Sequence, residues 1–493
     1  MDELREARSE LCRLEKEQNT ILHRLRNIRT EIKACRAKID LLVKESPPAI
    51  KRLPVELLLR IFALCIADPT SVGSMQQLAG VSCFWRDLIL NTPRFWTSIQ
   101  VSPYGSMSFL RIQLKRSRQA PLRIRIQEWL TLPYKFALES LAVIIRATSR
   151  WRTLLISGNS VEFTQVLVSL LRREEFPSLV KVYFVHNDNE RSVIDPDFLT
   201  PKSAPILEDL STRGLISLDK FAMLPKLKVM RLRSFSEPFP TLLASHLLVS
   251  LALYGDTGHW RLERDSINFP LLEKLFLRVT DSAHIMGAIV APKLDRFEFV
   301  YSGQPVFHTF GGLGDKFSHV RTVVYTASVD RIHDTSPFCR AFPNVRHAKI
   351  YTEPNVFFTA LSYPLNNPFS FPISHWKNLE SLAICSIPGD WYKLWYMRPE
   401  GDNSLVTWLR WRHQSDQPLL CVKLTEFSAD EMSGHEDLFS RLYDTLQRYC
   451  NLELDNIPFP NLRLMKSMDS ALKLVSWRVH ETLMYHSTTN FRG

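Results

Sequence analysis

Three features of this 493-residue chain have residue types suited to covalent or metal chemistry. His480-Glu481 and His486 combine two imidazoles with a carboxylate, the set a zinc hydrolase uses. That chemistry needs histidines at i and i+4 so that both reach one ion, and here the second stands at i+6. Gly311-Gly312-Leu313-Gly314-Asp315-Lys316 offers glycines and a lysine for a phosphate, but it lacks the Walker spacing and its Ser or Thr, and so reads as a loop. The eight cysteines (Cys12, Cys35, Cys65, Cys83, Cys339, Cys385, Cys421 and Cys450) are scattered, mostly within apolar patterns and with no CxxC pair. Such thiols are expected to be reduced and buried rather than to form a disulfide framework. No GxSxG or DxDxDG motif occurs. The sequence therefore assigns no catalytic residue, metal ligand or cofactor, and the chain is expected not to be an enzyme.

What remains is the chemistry of contact, concentrated between Leu53 and Ile99. Pro54 suits the first position of a helix, where a missing N–H costs nothing. Leu57, Leu58, Ile61, Phe62 and Cys65 follow as a wide apolar face, and Asp68-Pro69 stops the helix. Ser74-Met75-Gln76-Gln77 reads as a capping box for a second helix. A third is predicted from Val81 through Trp85 to Leu90, closed by Asn91-Thr92-Pro93. Fewer than 50 residues bury too little surface to be secure alone, so the surplus apolar face calls for another protein.

These residues also resemble a family. Leu53, Pro54, Glu56, Leu57, Ile61, Phe62, then Leu78, Val81, Trp85, Arg86, Leu88, Thr92, Pro93 and Trp96 match in order and spacing the F-box of the kind abundant in fungi. Ser82 and Cys83 depart from the usual Cys and basic residue. The resemblance implies docking on the Skp adaptor of a Skp–cullin–F-box ubiquitin ligase, with Leu53, Pro54, Leu57, Ile61, Phe62, Val81, Trp85, Arg86, Pro93 and Trp96 as the adaptor-binding residues. Ligases of the thioester-forming kind need a reactive cysteine in a dedicated domain, and no cysteine here has such surroundings in the sequence.

Residues 1–46 must position one partner. Leu4, Leu11, Gln18, Leu25, Ile32 and Ile39 at a, with Ala7, Leu14, Ile21, Ile28, Cys35 and Leu42 at d, hold six heptads in register without Gly or Pro. This predicts a coiled coil with Leu4, Leu11, Leu14, Ile21, Leu25, Ile28, Ile32 and Ile39 at its interface. In a parallel homodimer Glu3–Arg8 and Glu31–Arg36 attract while Glu10–Glu15 and Arg24–Arg29 repel, so homodimer, heterodimer and antiparallel pairing stay open, as does a long helix packed on its own protein. Pro47-Pro48 makes a stiff spacer to the next segment.

After residue 100 the pattern changes to strands. Ile99 with Val101, and Leu122, Ile124 and Ile126, alternate as two strands around a basic helical stretch at Arg111, Lys115, Arg116 and Arg118, read as a solvated face. A unit LxxLxL then recurs from Trp151, Leu179, Leu207, Leu227, Leu248, Leu272, Leu294, Val320, Val345 and Leu379, at intervals of 20 to 34 residues. Proline stands two residues ahead of six of these (Pro177, Pro205, Pro225, Pro270, Pro292 and Pro343), as suits the start of a strand. Asn159, Asn187, Asp256, Thr280, Ser302 and Ser328 occupy the eighth place after the start, where leucine-rich repeats put a side chain that bonds the turn backbone. The whole resembles a degenerate leucine-rich-repeat solenoid, which would expose a parallel sheet. A closed α/β domain has the same strand pattern.

Alternate residues of those strands, Lys228, Arg231, Arg233, Lys274 and Arg278, then Asp295 and Glu298, are placed on the exposed face, and the basic ones suggest an acidic or phosphorylated ligand. Aromatics crowd residues 353–375 (Phe357, Phe358, Tyr363, Phe369, Phe371) and 387–413 (Trp391, Tyr392, Trp395, Tyr396, Trp408, Trp411). They suit either a cap over the stack or a binding surface, to which Trp391 and Trp395 would belong. Leu419, Val422 and Leu424, and then Leu474, Trp477 and Val479, extend the strand pattern on either side of a helix at 438–446.

The fold class expected is α+β multidomain: a coiled coil at 1–46, a three-helix F-box at 47–100, and an α/β leucine-rich-repeat-like solenoid at 101–493. The function implied is a substrate receptor: adaptor and, through it, cullin at one end, an unnamed target protein at the other. A non-ligase interaction scaffold and a small-molecule sensor are the alternatives. The N-terminus has no h-region and no apolar run reaches the ~18 residues of a membrane span. A soluble protein of cytoplasm or nucleus is therefore expected, without membrane attachment. The net charge of +11 and pI near 9.2 come from dispersed Lys and Arg, so nucleic acid is not an expected partner.

Overall fold

The structure, a computed structural model, describes residues 2–45, 50, 53–67, 74–130, 135–185, 196–213, 224–233, 247–257, 260–301, 306–327, 334–351, 355–358, 371–385, 404–415, 417–425 and 444–454. The chain divides into two compact units, residues 1–97 with 112–120, and residues 98–111 with 121–493.

The first unit is helical. An uninterrupted run of good helix formers gives α1, Asp2–Glu45, one helix of 44 residues. Its predicted interface residues Leu4, Leu11, Leu14, Ile21, Leu25, Ile28, Ile32 and Ile39 stand 42–59% exposed in the single chain. Arg13 ties Glu10 (2.7 Å) and Glu17 (3.7 Å) to itself along the same helix.

Three short helices follow: α2, Val55–Ala67; α3, Ser74–Val81; and α4, Cys83–Asn91. The predicted third helix therefore begins two residues later than the pattern suggested. The physical reason is Ser82, whose extended backbone and side-chain oxygen, 3.2 Å from the Trp85 N–H, cap α4. Ser74, read as a cap residue, is instead the first residue within α3. A short 3-10 turn, Pro93–Trp96, closes the segment with proline in its first turn. Leu58, Phe62, Ile89, Phe95 and Trp96 form the core of this unit, with Leu53, Met75, Leu78, Trp85 and Leu88 packed round it.

The second unit is built on strands β1 Ser98–Val101, β2 Leu122–Gln127, β3 Trp151–Ser157, β4 Lys181–Val185, β5 Asp209–Arg213, β6 Val229–Arg233, β7 Ser250–Gly255, β8 Ile267–Asn268, β9 Lys274–Val279, β10 Ile289–Val290, β11 Arg296–Val300, β12 Thr322–Thr326, β13 His347–Tyr351, β14 Ser381–Cys385, β15 Cys421–Thr425 and β16 Asn451–Leu454. Fourteen of them make one sheet in chain order, with every neighbour parallel; β8 and β10 pair separately. A parallel neighbour needs a crossover, and helices such as α5 Met107–Arg116, α6 Lys135–Ile145, α7 Val161–Leu171, α8 Ser282–Ala288, α9 Val306–Phe310 and α10 Ser336–Ala341 lie in those connections.

Register repeats from strand to strand. Leu154, Val182, Leu210, Met230, Leu251, Leu275, Phe297, Val323, Ala348, Leu382 and Val422 form one buried ladder. The first residue of each LxxLxL unit lies just ahead of its strand from β4 onward, and Leu179 through Leu379 are all at most 1% exposed there. Burying each such side chain contributes roughly 1.5–3 kcal/mol. The prolines do more than start strands. The N–H groups of Leu179, Leu207, Leu272 and Leu294 donate to the carbonyls of Phe176, Ala204, Phe269 and Ala291, which puts Pro177, Pro205, Pro270 and Pro292 second in a four-residue turn. Fixed φ favours proline at that place.

Three of the eighth-place polar residues, Asn159, Asp256 and Thr280, tie neighbouring units together. Asn159, 2% exposed and next to Gly158 with φ +63°, accepts from the Trp129 N–H at 3.0 Å and donates to the Ile126 carbonyl at 3.2 Å. The Thr280 hydroxyl donates to Asp256 at 2.6 Å and accepts from the Thr257 N–H at 3.1 Å. Asn187, Ser302 and Ser328 lie outside the described residues, as do Leu474, Trp477 and Val479.

From β11 to β14 the interior turns aromatic. Phe338 on α10 sits within 6.4 Å, centroid to centroid, of Phe297, Phe299, Phe310, Tyr325, Phe342, Phe357 and Trp376. Phe357 and Phe358, on α11 Asn355–Phe358, are fully buried, and Phe358 packs on Trp408 of α12, Ser404–Gln414. The described part of the aromatic-rich stretches is thus interior packing. Near the end, Leu420 is buried and Leu419 is 50% exposed, a slip of one residue from the sequence pattern. The β8–β10 pair was not visible in the sequence pattern, because two residues are too short to alternate, and β16 was not read from the sequence either.

Candidate docking surfaces

On α2 the two halves of the apolar pattern part company. Leu58 and Phe62 point into the core, whereas Leu57 and Ile61 stand 47% and 41% exposed and Leu64 reaches 64%. Spacing of four and then three residues puts that second set on one side of the helix. Val81 at the end of α3 and Phe84 on α4 add exposed apolar surface at 61% and 44%. Each of the three short helices thus leaves at least one large apolar side chain exposed. Phe62 and Trp96, expected among the adaptor-binding residues, are buried in the single chain. Phe62 lies 4.6 Å from the Trp85 ring, and Trp96 donates its indole N–H to the Ile89 carbonyl at 2.9 Å, so both hold helices in place.

Other residues of the predicted set are distributed between face and frame. Pro54 and Arg86 are exposed, with the Arg86 Nε donating to the Ala79 carbonyl at 3.1 Å; Leu53, Trp85 and Pro93 are half-buried. Leu64 and Phe84 were missed. The signal for Leu64 was its place seven after Leu57. Arg116, read as part of a solvated face, stacks 4.9 Å from the Trp96 ring and donates to the Leu90 carbonyl at 3.1 Å.

The second surface is the sheet face opposite the buried ladders. There β2 carries Arg123 and Arg125, β4 Lys181, β5 Arg213, β6 Arg231 and Arg233, and β9 Lys274 and Arg278. One carboxylate, Asp209, lies on this face of β2–β7 and β9; it accepts from Arg231 at 2.9 Å, lies 3.7 Å from Lys181 and meets the Tyr183 hydroxyl at 3.4 Å. Burial first, and then Asp209, pushes the Tyr183 phenol up from its ordinary value. The predicted Arg231, Arg233, Lys274, Arg278 and Glu298 all take this face. Lys228 precedes its strand and pairs with Glu208 at 2.9 Å; Asp295 also precedes its own. Trp391 and Trp395 lie outside the described residues.

The features first suspected of chemistry take structural parts where they are described. Lys316 pairs with Asp265 at 2.6 Å and donates to the Gly287 carbonyl, so the glycine-rich run is a fastening loop. His480, Glu481 and His486 lie outside the described residues. Among the described residues no helix is long and apolar enough to cross a membrane. No protein-family model matches this chain, and no curated protein matches it.

Proposed function

We propose that this chain is the substrate-recognition subunit of a Skp–cullin–F-box ubiquitin ligase. The observation that carries the reading is the split on α2–α4: a core of Leu58, Phe62, Ile89, Phe95 and Trp96, with Leu57, Ile61, Leu64, Val81 and Phe84 left outside. Together with the F-box-like spacing of Leu53 to Trp96, that face fits docking on the Skp adaptor. The strand units, their proline turns and the Asn159 bridge support reading the second unit as a leucine-rich-repeat-like solenoid that holds a target. The exposed a and d residues of α1 fit a coiled coil with a second copy or another helix. Catalysis would belong to other subunits; this chain would act by positioning, raising the effective concentration of target beside the conjugating enzyme. Cytoplasm or nucleus is the compartment such a complex occupies.

Co-purification with the Skp adaptor tests the reading. The intact chain is expected to capture the adaptor, and Leu57→Asp/Ile61→Asp to lose it while circular dichroism stays unchanged. An intact, folded chain that captures no adaptor overturns the proposal.

A further inference from the structure

The core stripe of α1 stands open in the single chain, and so do the charged residues beside it, which differ in how they match a second copy. In a parallel pair they cancel, two pairs attracting and two repelling. The core also has Leu25 at a between Ile21 and Ile28 at d, the reverse of the order that favours two parallel strands. In an antiparallel pair each a residue faces a d residue, g faces g and e faces e. Full overlap of two antiparallel helices sets Glu17 against Glu31, Arg8 against Arg36, and Arg24 against itself. Sliding them by one heptad, so that residues 11–42 overlap and Leu25 faces Ile28, removes all three clashes. Glu15 then faces Arg36, Glu17 faces Lys38 and Arg24 faces Glu31, each pair made twice by the two-fold axis. Of these six side chains only Glu17 has an ion pair within its own helix, with Arg13 at 3.7 Å. One like pair is left by position, Glu10 with Glu45, and Arg13 already holds the Glu10 carboxylate at 2.7 Å. The opposite slide instead sets Glu10 against Glu31 and Arg8 against Arg29. The favoured slide also brings Gln18, the one polar residue at an a position, opposite Cys35 at d. A thiol can meet the amide as a weak donor and acceptor, whereas full overlap would press Gln18 onto Ile28.

We propose that α1 pairs with the α1 of a second copy of this chain, antiparallel and in this shifted register. The proposal rests on the coiled-coil reading of α1 and fixes its partner, direction and register. A different helix would have to supply the same complementary charges at the same spacing, whereas a second copy supplies them by symmetry. An overlap of residues 11–42 makes a rod about 48 Å long at 1.5 Å per residue. The two copies of residue 45, where each α1 ends, stand about 55 Å apart along it. The two chains therefore leave the coil toward their own α2–α4 from opposite ends, where a parallel coil would bring them out together.

The test uses the full-length chain. Sedimentation is expected to give a dimer at tens of micromolar. Arg24→Glu turns the Arg24–Glu31 pair into a repulsion on both sides of the axis and should raise the dimer dissociation constant at least threefold; adding Glu31→Arg should restore it. In a parallel pair the same Arg24→Glu would relieve the Arg24–Arg29 repulsion and tighten the dimer. Register is read from Gln18→Cys in a Cys12→Ser background, oxidised by copper phenanthroline in air. Peptide mapping of the oxidised dimer is expected to join position 18 of one copy to Cys35 of the other. A monomer, an assembly larger than a dimer, or a dimer tightened by Arg24→Glu overturns the proposal. So does a dimer with no bridge at position 18, or with bridges joining position 18 to itself or Cys35 to itself. Adaptor capture reports the ligase reading separately. Capture by a monomeric chain removes this inference alone, and an antiparallel dimer that captures no adaptor keeps the inference while removing the ligase.

Discussion

Asn159 is the sharpest test of how successive units are joined. Its amide satisfies two backbone groups at once, the Trp129 N–H at 3.0 Å and the Ile126 carbonyl at 3.2 Å, in a place where the side chain is 2% exposed. Asn159→Ala leaves both without their partner. A buried polar group left unpaired costs about 1–3 kcal/mol, so the pair should cost about 2–5 kcal/mol. Even the lower figure is a roughly 30-fold change in an opening equilibrium. Local stability is the right readout, because a chain of two units need not unfold in one step. Hydrogen exchange should therefore show the Trp129 amide, and amides of residues 122–171, exchanging at least tenfold faster in the variant. Asn159→Asp gives a second reading. It keeps an acceptor for Trp129 but turns a carboxylate oxygen on the Ile126 carbonyl, which favours the protonated form in the folded state. A carboxyl whose folded pKa is raised loses stability as pH rises, so the deficit of this variant relative to wild type should shrink from pH 7 to pH 4. Asn159→Ala with unchanged exchange at Trp129 would refute the reasoning.

Other outcomes follow from burial and exposure. Phe338→Ala removes a fully buried ring from contact with seven others and should destabilise the second unit by about 3–5 kcal/mol, read as a fall in its urea midpoint; Phe338→Leu should cost less than half as much. Phe62→Ala should melt the short helices by circular dichroism, while Ile61→Ala, one residue away but 41% exposed, should change stability by less than about 0.5 kcal/mol. The thiols are not all buried as the sequence suggested, and an alkylating probe at pH 8 should label the exposed Cys12, Cys65 and Cys83 before the buried Cys339, Cys385 and Cys450. Burial pushes the Cys450 thiol up to about 12, so its contribution to stability is fully present below the unfolded value of about 8.5 and is lost as pH climbs toward 12. Cys450→Ala should flatten that alkaline decline in thermal midpoint.

Much of the architecture was legible because it rests on periodicity. Six heptads from Leu4 without a breaker dictate one long helix, and ten LxxLxL units lead into ten strands, because alternation at period two puts the second and third apolar slots on one face. The polar eighth place was readable at Asn159 and Thr280 because it recurs at a fixed offset within the unit, although its bonds reach across to the preceding unit. Tertiary structure decided what the pattern leaves degenerate. Leu57, Leu58, Ile61 and Phe62 are equally apolar in sequence, and packing against Ile89 and Trp96 chose which pair is core and which is face. Ser82 read as a departure from a motif, yet an extended backbone before Cys83 made it a cap. The aromatics at 357, 358 and 408 had two readings until Phe338 and Trp376 closed on Phe357, and Phe358 packed on Trp408. Spacing put Arg233 and Arg278 on one exposed face but not Arg213, which joins that face beside Arg233 only because β5 and β6 pair in register.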